Sequence, residues 1–384
     1  MRNDKRLCGL HRLKKKLKNF FSWIAYGLLL AVLPPRRPTE ATKDIAVVCL
    51  AALGDFITFC DVARTLHQQG YPLILICRQD VGIDEFAALT GCFKKIEALP
   101  HQLIKRVENI RRLKRVQAHT VLIAPVERHI LSDLYVLSVS AEQRIFPDTI
   151  QGCSLPTLRH LVDCRADKLV TVTERNEQGR YEQYLREFNI NNGEIRPYVL
   201  EGLKEKPRVG CRDIAIFPGA GGGAAKRWPV ERFAYVAAEL HQEYGGKVMI
   251  FGTAEERALG QGLCAMLPGY AKNLCGETSV SELVEYLQGC ALVLANDSGS
   301  AHLSIACGRP TVIICGGWEY GRFYPNPRLP PNCRAVVAEL GLLKCIPCNE
   351  SCPVCTDRNA AACILLVEQE RVLKTAKENY ITKD

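Results

Sequence analysis

At 384 residues, 47% of them hydrophobic and 24% charged, the chain is globular in composition and exceeds the roughly 250 to 300 residues that one hydrophobic core serves, so two domains are expected. The net charge of +9 is concentrated at one end: residues 1–44 carry eleven Lys or Arg against three Asp or Glu. The rest is near neutral, which excludes a nucleic-acid footprint spread over the whole protein. The nineteen cysteines mostly sit singly in apolar runs, as at Cys49, Cys77 and Cys315. They read as reduced core thiols of a cytosolic protein and exclude a small disulfide scaffold.

Residues 11–19 are basic, and Phe20 to Leu33 is a nearly unbroken apolar run of fourteen residues closed by Pro34-Pro35-Arg36-Arg37-Pro38. It is shorter than the roughly 20 residues that span a bilayer, and no small-x-small cleavage site follows it. Residues 1–44 are expected to form a basic and apolar helix lying on the inner membrane surface, its basic start on anionic lipid; a helix packed on its own domain is the alternative.

Ile45 to Leu50 reads as the first buried strand, and Ala51-Ala52-Leu53-Gly54-Asp55 as the turn into a helix from Phe56 to about Gln69, stopped by Gly70. Apolar strands at Leu73–Cys77 and Thr120–Ala124 alternate with helical patterns, which predicts a doubly wound parallel sheet. Asp55 then lies just past the carboxyl end of strand one, where open α/β sheets place their ligands. Helix capping accounts for an aspartate there equally well. The helical stretch Leu103–Arg115 carries six Lys or Arg, a solvated face or one that meets an anionic acceptor or lipid. The polar segment from about Pro197 to Cys211 reads as the interdomain linker, dividing a domain at 45–200 from one at 201–362.

The second domain opens with a strand at Asp213–Phe217 and the loop Pro218-Gly219-Ala220 to Trp228-Pro229, with Pro229 in the first turn of a helix over Val230–Glu243. Gly219 and Ala220 let backbone approach a phosphate, and Lys226 supplies a point charge. The next strand, Lys247–Phe251, ends at Glu255 and Glu256, carboxylates placed to accept from ribose hydroxyls. Strand Ala291–Ala295 runs into Asn296-Asp297-Ser298-Gly299-Ser300, a turn whose small residues uncover the amides of a helix N-terminus, with His302 in the first turn. Orphan amides and the helix dipole suit such a turn to a diphosphate. Thr311–Cys315 is the following strand. These loops converge on the carboxyl edge of one sheet, which argues for a nucleotide pocket in the second half.

Cys345, Cys348, Cys352 and Cys355, with Cys363 after them, form two CxxC pairs. Their spacing admits a structural zinc, unligated thiols or a disulfide. From Ala360 to about Asn379 the pattern is an amphipathic helix, within a C-terminal segment at 363–384, expected to fold back over the first domain.

Three features together resemble glycosyltransferase family nine, the ADP-heptose:lipopolysaccharide heptosyltransferases: Gly54-Asp55 after the first strand; Pro218-Gly219-Ala220 with Lys226-Arg227-Trp228-Pro229; and Asn296-Asp297-Ser298-Gly299 with His302 and Gly308-Arg309-Pro310. The resemblance runs from about Ile45 to Val367. It implies a GT-B fold, two Rossmann-like doubly wound parallel-sheet domains facing a cleft. It also implies inverting transfer of a heptose or related sugar from a nucleotide-sugar, ADP-heptose favoured, to a lipopolysaccharide or lipid-linked glycan, without a metal for the chemistry, at the cytoplasmic face of the inner membrane. Asp55 would be the general base. Lys226, Ser298, Gly299 and His302 would hold the leaving diphosphate, with Asp297 beside the sugar or ribose and Glu255 or Glu256 near the ribose. The residues before Gly54 depart from the small polar residues frequent in the family, and Ser298 stands where threonine is commoner. A second reading is a non-catalytic, membrane-attached nucleotide-sugar binding or assembly protein, and a third a zinc-organised interaction protein.

Overall fold

The computed structural model describes residues 36–124, 128–148, 156–189, 195–200, 211–221, 223–318, 320–339, 341–346, 348 and 360–380. The apolar helix expected near residue 20 and the linker core at 201–210 lie outside these residues. None of the described helices is long and apolar enough to cross a membrane.

The first half contributes strands β1 (Ile45–Cys49), β2 (Leu73–Arg78), β3 (Phe93–Leu99), β4 (Gln117–Ile123), β5 (Ser140–Pro147) and β6 (Lys168–Val170), and helices α1 (Leu53–Gln68), α2 (Ile83–Thr90), α3 (Arg106–Leu113), α4 (Ile130–Ser138), α5 (Pro156–Asp163) and α6 (Glu177–Leu185). The second adds β7 (Asp213–Phe217), β8 (Val248–Ile250), β9 (Ala271–Asn273), β10 (Cys290–Asn296), β11 (Thr311–Cys315) and β12 (Cys333–Val337). Its helices are α7 (Val230–Tyr244), α8 (Arg257–Ala265), α9 (Val280–Gln288), α10 (Gly299–Ala306), α11 (Ala362–Leu365) and α12 (Gln369–Asn379).

The strands form two six-stranded sheets, ordered β3-β2-β1-β4-β5-β6 and β12-β11-β10-β7-β8-β9. Both are the Rossmann order, so each sheet has a topological switch point, at β1/β4 and at β7/β10. All five pairings of the second sheet are parallel. Strands such as β1 and β10 are buried at every residue, which is why their sequences are continuous apolar runs without alternation.

The chain divides into two compact units that cross its sequence order. One holds residues up to Leu50, Gly70–Asp80 and Lys94–Val172; the other holds Ala51–Gln69, Val81–Phe93 and everything from Thr173 onward. The core of the first is built from Ala46, Val48, Ile76, Val121, Ile123 and Leu134. That of the second includes Ile216, Trp228, Phe233, Leu292, Ile314 and Val372.

Two expectations are corrected. The helix after β1 begins at Leu53, which places Asp55 inside its first turn. The C-terminal helix does not fold over the first domain: Val372, Ala376 and Tyr380 bury in the core of the second unit, and Trp228 Nε1 donates to Val367 O at 3.0 Å. Its amphipathic pattern announced a buried face, and the apolar surface beside α7 and β11 supplies the partner.

Candidate functional site

The site grows from the β7/β10 switch point. Asn296 closes β10 with no exposed surface. Its Oδ1 accepts from Trp228 N at 3.0 Å, and its Nδ2 donates to Pro218 O at 2.9 Å and Gly219 O at 3.2 Å. One amide thus uses an acceptor and two donors to join the Pro218 loop, the start of α7 and the Asn296 turn. Sequence reasoning took Asn296 as part of the turn; its role as the tie rests on contacts about 70 residues apart in sequence.

Beyond Asn296 the chain turns into α10. Ser298 stands at the N-cap position, yet its hydroxyl caps no amide. It bonds Asn296 O at 3.2 Å and Ser300 Oγ at 2.7 Å instead. Gly299, the first residue of α10, meets Gly54 in α1. A β-carbon at Gly54 would lie 2.6 Å from Gly299 Cα and 3.2 Å from His302 Cδ2, so only glycine permits this approach. Two helix N-termini therefore abut, and their orphan amides and positive dipole ends share one place.

Asp55 is carried by that first turn of α1, where its Oδ2 accepts from Ala52 N at 3.3 Å. The capping reading of Asp55 is seen directly, and the turn that carries Asp55 also brings it to the meeting of the two helices. Thr58 Oγ1 donates to Asp55 O at 2.8 Å and lies 2.9 Å from Tyr181 Oη. With the Thr58 proton committed, Tyr181 is the donor. Burial first, then the nearby Glu177 carboxylate, pushes the Tyr181 hydroxyl well above its ordinary range.

His302, one turn into α10, has Phe323 and Tyr324 against its ring at centroid distances of 5.1 and 5.2 Å. Burial pushes it down to about 3, with Glu177 opposing and the charges of Lys226 and Arg322 adding. The imidazole is neutral throughout the physiological range.

Lys226 and Asp297 line one pocket with Ala225, Gly316, Trp318 and Cys363. Lys226 Nζ lies 5.9 Å from the centroid of the Trp318 ring. Asp297 is 6% exposed, its N donates to Ile314 O at 2.9 Å, and the Cys315 thiol lies 3.6 Å from its Oδ2. Burial, with the Asp297 charge, holds that thiol protonated. A cation, a carboxylate and an aromatic face in one pocket suit a ligand with phosphate, hydroxyl and planar parts. Trp318 escaped sequence reasoning, although its position just past β11, at the same sheet edge, was a usable signal. Tyr181 and Tyr324 left none.

Glu255 and Glu256 do not line that pocket. Glu256 Oε2 accepts from Thr253 N at 2.9 Å, and a β-carbon at Gly219 would fall 1.9 Å from Glu256 Oε1. The Glu256 carboxylate thus occupies the space beside Gly219 that a side chain there would take. The exposed Glu255 carboxyl is held below its usual range by its own backbone amide and the Thr253 hydroxyl. Ala220 is buried, and its carbonyl accepts from Gly223 N at 3.1 Å.

Of the cysteine cluster, Cys352 and Cys355 lie outside the described residues. Cys345 and Cys348 are half-buried and Cys363 is buried, and Gly317 N donates to Cys363 Sγ at 3.2 Å. No group of three or more His, Cys, Asp or Glu able to hold a metal occurs among the described residues.

Comparison with known proteins agrees with this fold. Residues 185–350 match the pattern that defines glycosyltransferase family 9 (heptosyltransferase). A lipopolysaccharide heptosyltransferase 2 of Escherichia coli K12 is 35% identical over 116 residues, 29% of this chain and 32% of that protein. The chain thus spans about a third of the length of this curated relative. Two solved structures resemble the whole fold. The E. coli ADP-heptose lps heptosyltransferase II matches with TM-score 0.63 and 19% identity over 88% of this chain and 98% of that one. E. coli heptosyltransferase WaaC with ADP matches with TM-score 0.63 and 14% identity over 88% and 99%. The expected fold class, α/β of GT-B type with two Rossmann-like sheets, is borne out.

Proposed function

We propose that this chain, which belongs to glycosyltransferase family 9 through residues 185–350, is an inverting glycosyltransferase that moves a heptose or related sugar from a nucleotide-sugar to a lipopolysaccharide or lipid-linked glycan acceptor. ADP-heptose is the favoured donor: structural neighbours are described with ADP and as an ADP-heptose enzyme. We assign the acceptor to the 45–200 domain and the nucleotide-sugar to the 201–362 domain. The reaction takes place at the cytoplasmic face of the inner membrane and requires no cofactor.

The observation that carries this reading is the contact of Gly54 with Gly299. It sets the Asp55 turn beside the N-terminus of α10, so a base and an anion-stabilising helix end serve the same reacting centre. Asp55 takes the proton of the acceptor hydroxyl as its oxygen bonds to the anomeric carbon, on the face opposite the diphosphate. The carbon–oxygen bond to the diphosphate breaks, and negative charge builds on the leaving group. Lys226, the Gly299 amide, the Ser298 hydroxyl and a neutral His302 N–H meet that charge, an arrangement already oriented before the reaction. Asp297, at the Lys226 pocket, faces the sugar or ribose. Gly219 and Ala220 border the diphosphate, and Glu255 or Glu256 the ribose.

The test is transfer from ADP-heptose to a lipopolysaccharide-core acceptor, followed by mass spectrometry, for the parent chain and Asp55→Asn. A heptosylated product with the parent, reduced at least about 100-fold in the variant with ADP affinity retained, supports the reading. Donor binding without product in the parent would favour the non-catalytic alternative.

A further inference from the structure

In the first compact unit, the turn Leu103–Lys105 and helix α3 present an apolar face to solvent. Ile104 is 85% exposed, the highest value for any large apolar side chain among the described residues, with Leu103 at 60% and Val107 at 51%. The helix is not free to turn these inward. Its other side is fixed by the buried Asn109, Ile110 and Leu113, and Asn109 Nδ2 donates to Pro100 O and Tyr135 Oη, both at 2.8 Å.

The cations are sorted in the same way. Lys105 pairs with Glu108 at 3.0 Å and Arg112 with Glu97 at 2.9 Å. Arg111, Lys114 and Arg115 have no side-chain partner among the described residues. Leu103, Val107, Arg111, Lys114 and Arg115 recur at three- and four-residue spacing, so they share one side of the helical path. Aliphatic tips therefore project beside three unneutralised cations, and no aromatic or polar anchor marks a shaped protein pocket.

We propose that this face docks on an anionic lipid bilayer, with Leu103, Ile104 and Val107 in the headgroup layer and Arg111, Lys114 and Arg115 against lipid phosphates. It is a contact additional to any made by residues 1–35, and it is independent of the sugar-transfer reading. A membrane-bound acceptor would then be met by a protein already held at the surface.

The test uses the full chain with Ile104→Trp, titrated with vesicles of phosphatidylglycerol and phosphatidylcholine, or of phosphatidylcholine alone. The expected result is a blue shift of the introduced indole, and its quenching by brominated acyl chains, with the anionic vesicles only. The parent chain, with Trp23, Trp228 and Trp318, supplies the background. Combined Leu103→Ser, Ile104→Ser and Val107→Ser should weaken vesicle binding at least about tenfold, and Arg111→Gln, Lys114→Gln and Arg115→Gln should flatten its salt dependence. An indole that stays unquenched while the protein sediments with the vesicles overturns the proposal. So does equal binding to neutral vesicles, or a serine variant whose only change is loss of a concentration-dependent dimer. These readouts do not involve sugar transfer, so failure of the reaction would leave them intact.

Discussion

The Tyr324 hydroxyl lies 2.9 Å from His302 Nδ1, and this contact selects the tautomer of the imidazole. Tyr324 is 1% exposed, and His302 is the sole side-chain partner of its hydroxyl among the described residues. Leaving the hydroxyl proton without an acceptor would cost about 1–3 kcal/mol, so Tyr324 donates and Nδ1 accepts. The single proton of the neutral ring then sits on Nε2, adjacent to the Cδ2 atom that faces Gly54. Tyr324→Phe should release this choice: nitrogen NMR of the histidine should change from one Nε2–H tautomer to a mixture. The rate of transfer should fall about tenfold, the equivalent of one hydrogen bond, with little change in ADP affinity.

Acid stability should depend on the same ring. Folding lowers the His302 pKa from 6.5 to about 3, so the unfolded chain takes up a proton that the folded ring refuses. The contribution is fully present above about pH 6.5 and declines as the pH falls towards about 3. Denaturant midpoints collected from pH 4 to 8 should fall less steeply on the acid side for His302→Gln than for the parent. An unchanged slope would mean that the ring is not desolvated.

Gly54→Ala tests the helix contact. Its new methyl would need the space 2.6 Å from Gly299 Cα, a backbone atom that cannot rotate away, so the two helix ends must part. Overpacking of this kind costs about 1–3 kcal/mol, and a displacement of the reacting groups near 1 Å costs roughly 100-fold in rate. Gly262→Ala is the matched control. Nothing lies within 4 Å of its β-carbon and it stands inside α8, so it should stabilise by about 0.5–1 kcal/mol. Differential scanning calorimetry and the transfer assay together separate the two.

Asn296→Ala removes three hydrogen bonds at once and leaves the Trp228 amide buried without its acceptor. We expect a loss of about 2–4 kcal/mol in urea unfolding, with ADP affinity falling as the Pro218 loop loosens. Lys226→Ala should do the reverse, weakening ADP binding about tenfold while the unfolding midpoint stays within experimental scatter. If both variants lost affinity without loss of stability, Asn296 would be a ligand contact and not a tie.

How much was legible beforehand follows from the range of the forces involved. Strands Asp213–Phe217 and Thr311–Cys315 emerge with the bounds read from sequence, because a strand covered on both faces shows as a continuous apolar run after its first residue. The Asn296 turn and the Pro218 loop were placed on one sheet edge by strand alternation alone. The start of α1 was read three residues late, since Leu53-Gly54 has neither the periodicity nor the composition of a helix start and is held there by packing on Gly299. The seat of the C-terminal helix, the tie made by Asn296 and the pairing of Tyr324 with His302 all depend on residues distant in sequence, and short-range pattern carries no record of them. Glu255 and Glu256 were equivalent as letters; only their rotations on the Thr253 turn distinguish an exposed carboxylate from one wedged against Gly219.

The compact units also bear on how this protein can be divided. The segment Ala51–Gln69 belongs to the unit that begins again at Thr173, so a cut near residue 201 does not release a finished half. A fragment of residues 211–384 would retain Lys226, Asp297 and Trp318 but would leave Gly299 facing water where Gly54 should lie, and it would lack Tyr181. Swapping donor halves among relatives to change sugar preference would meet the same obstacle. A graft that respects the physical seam must carry Ala51–Gln69, with α1, and Val81–Phe93 along with the residues from Thr173 onward.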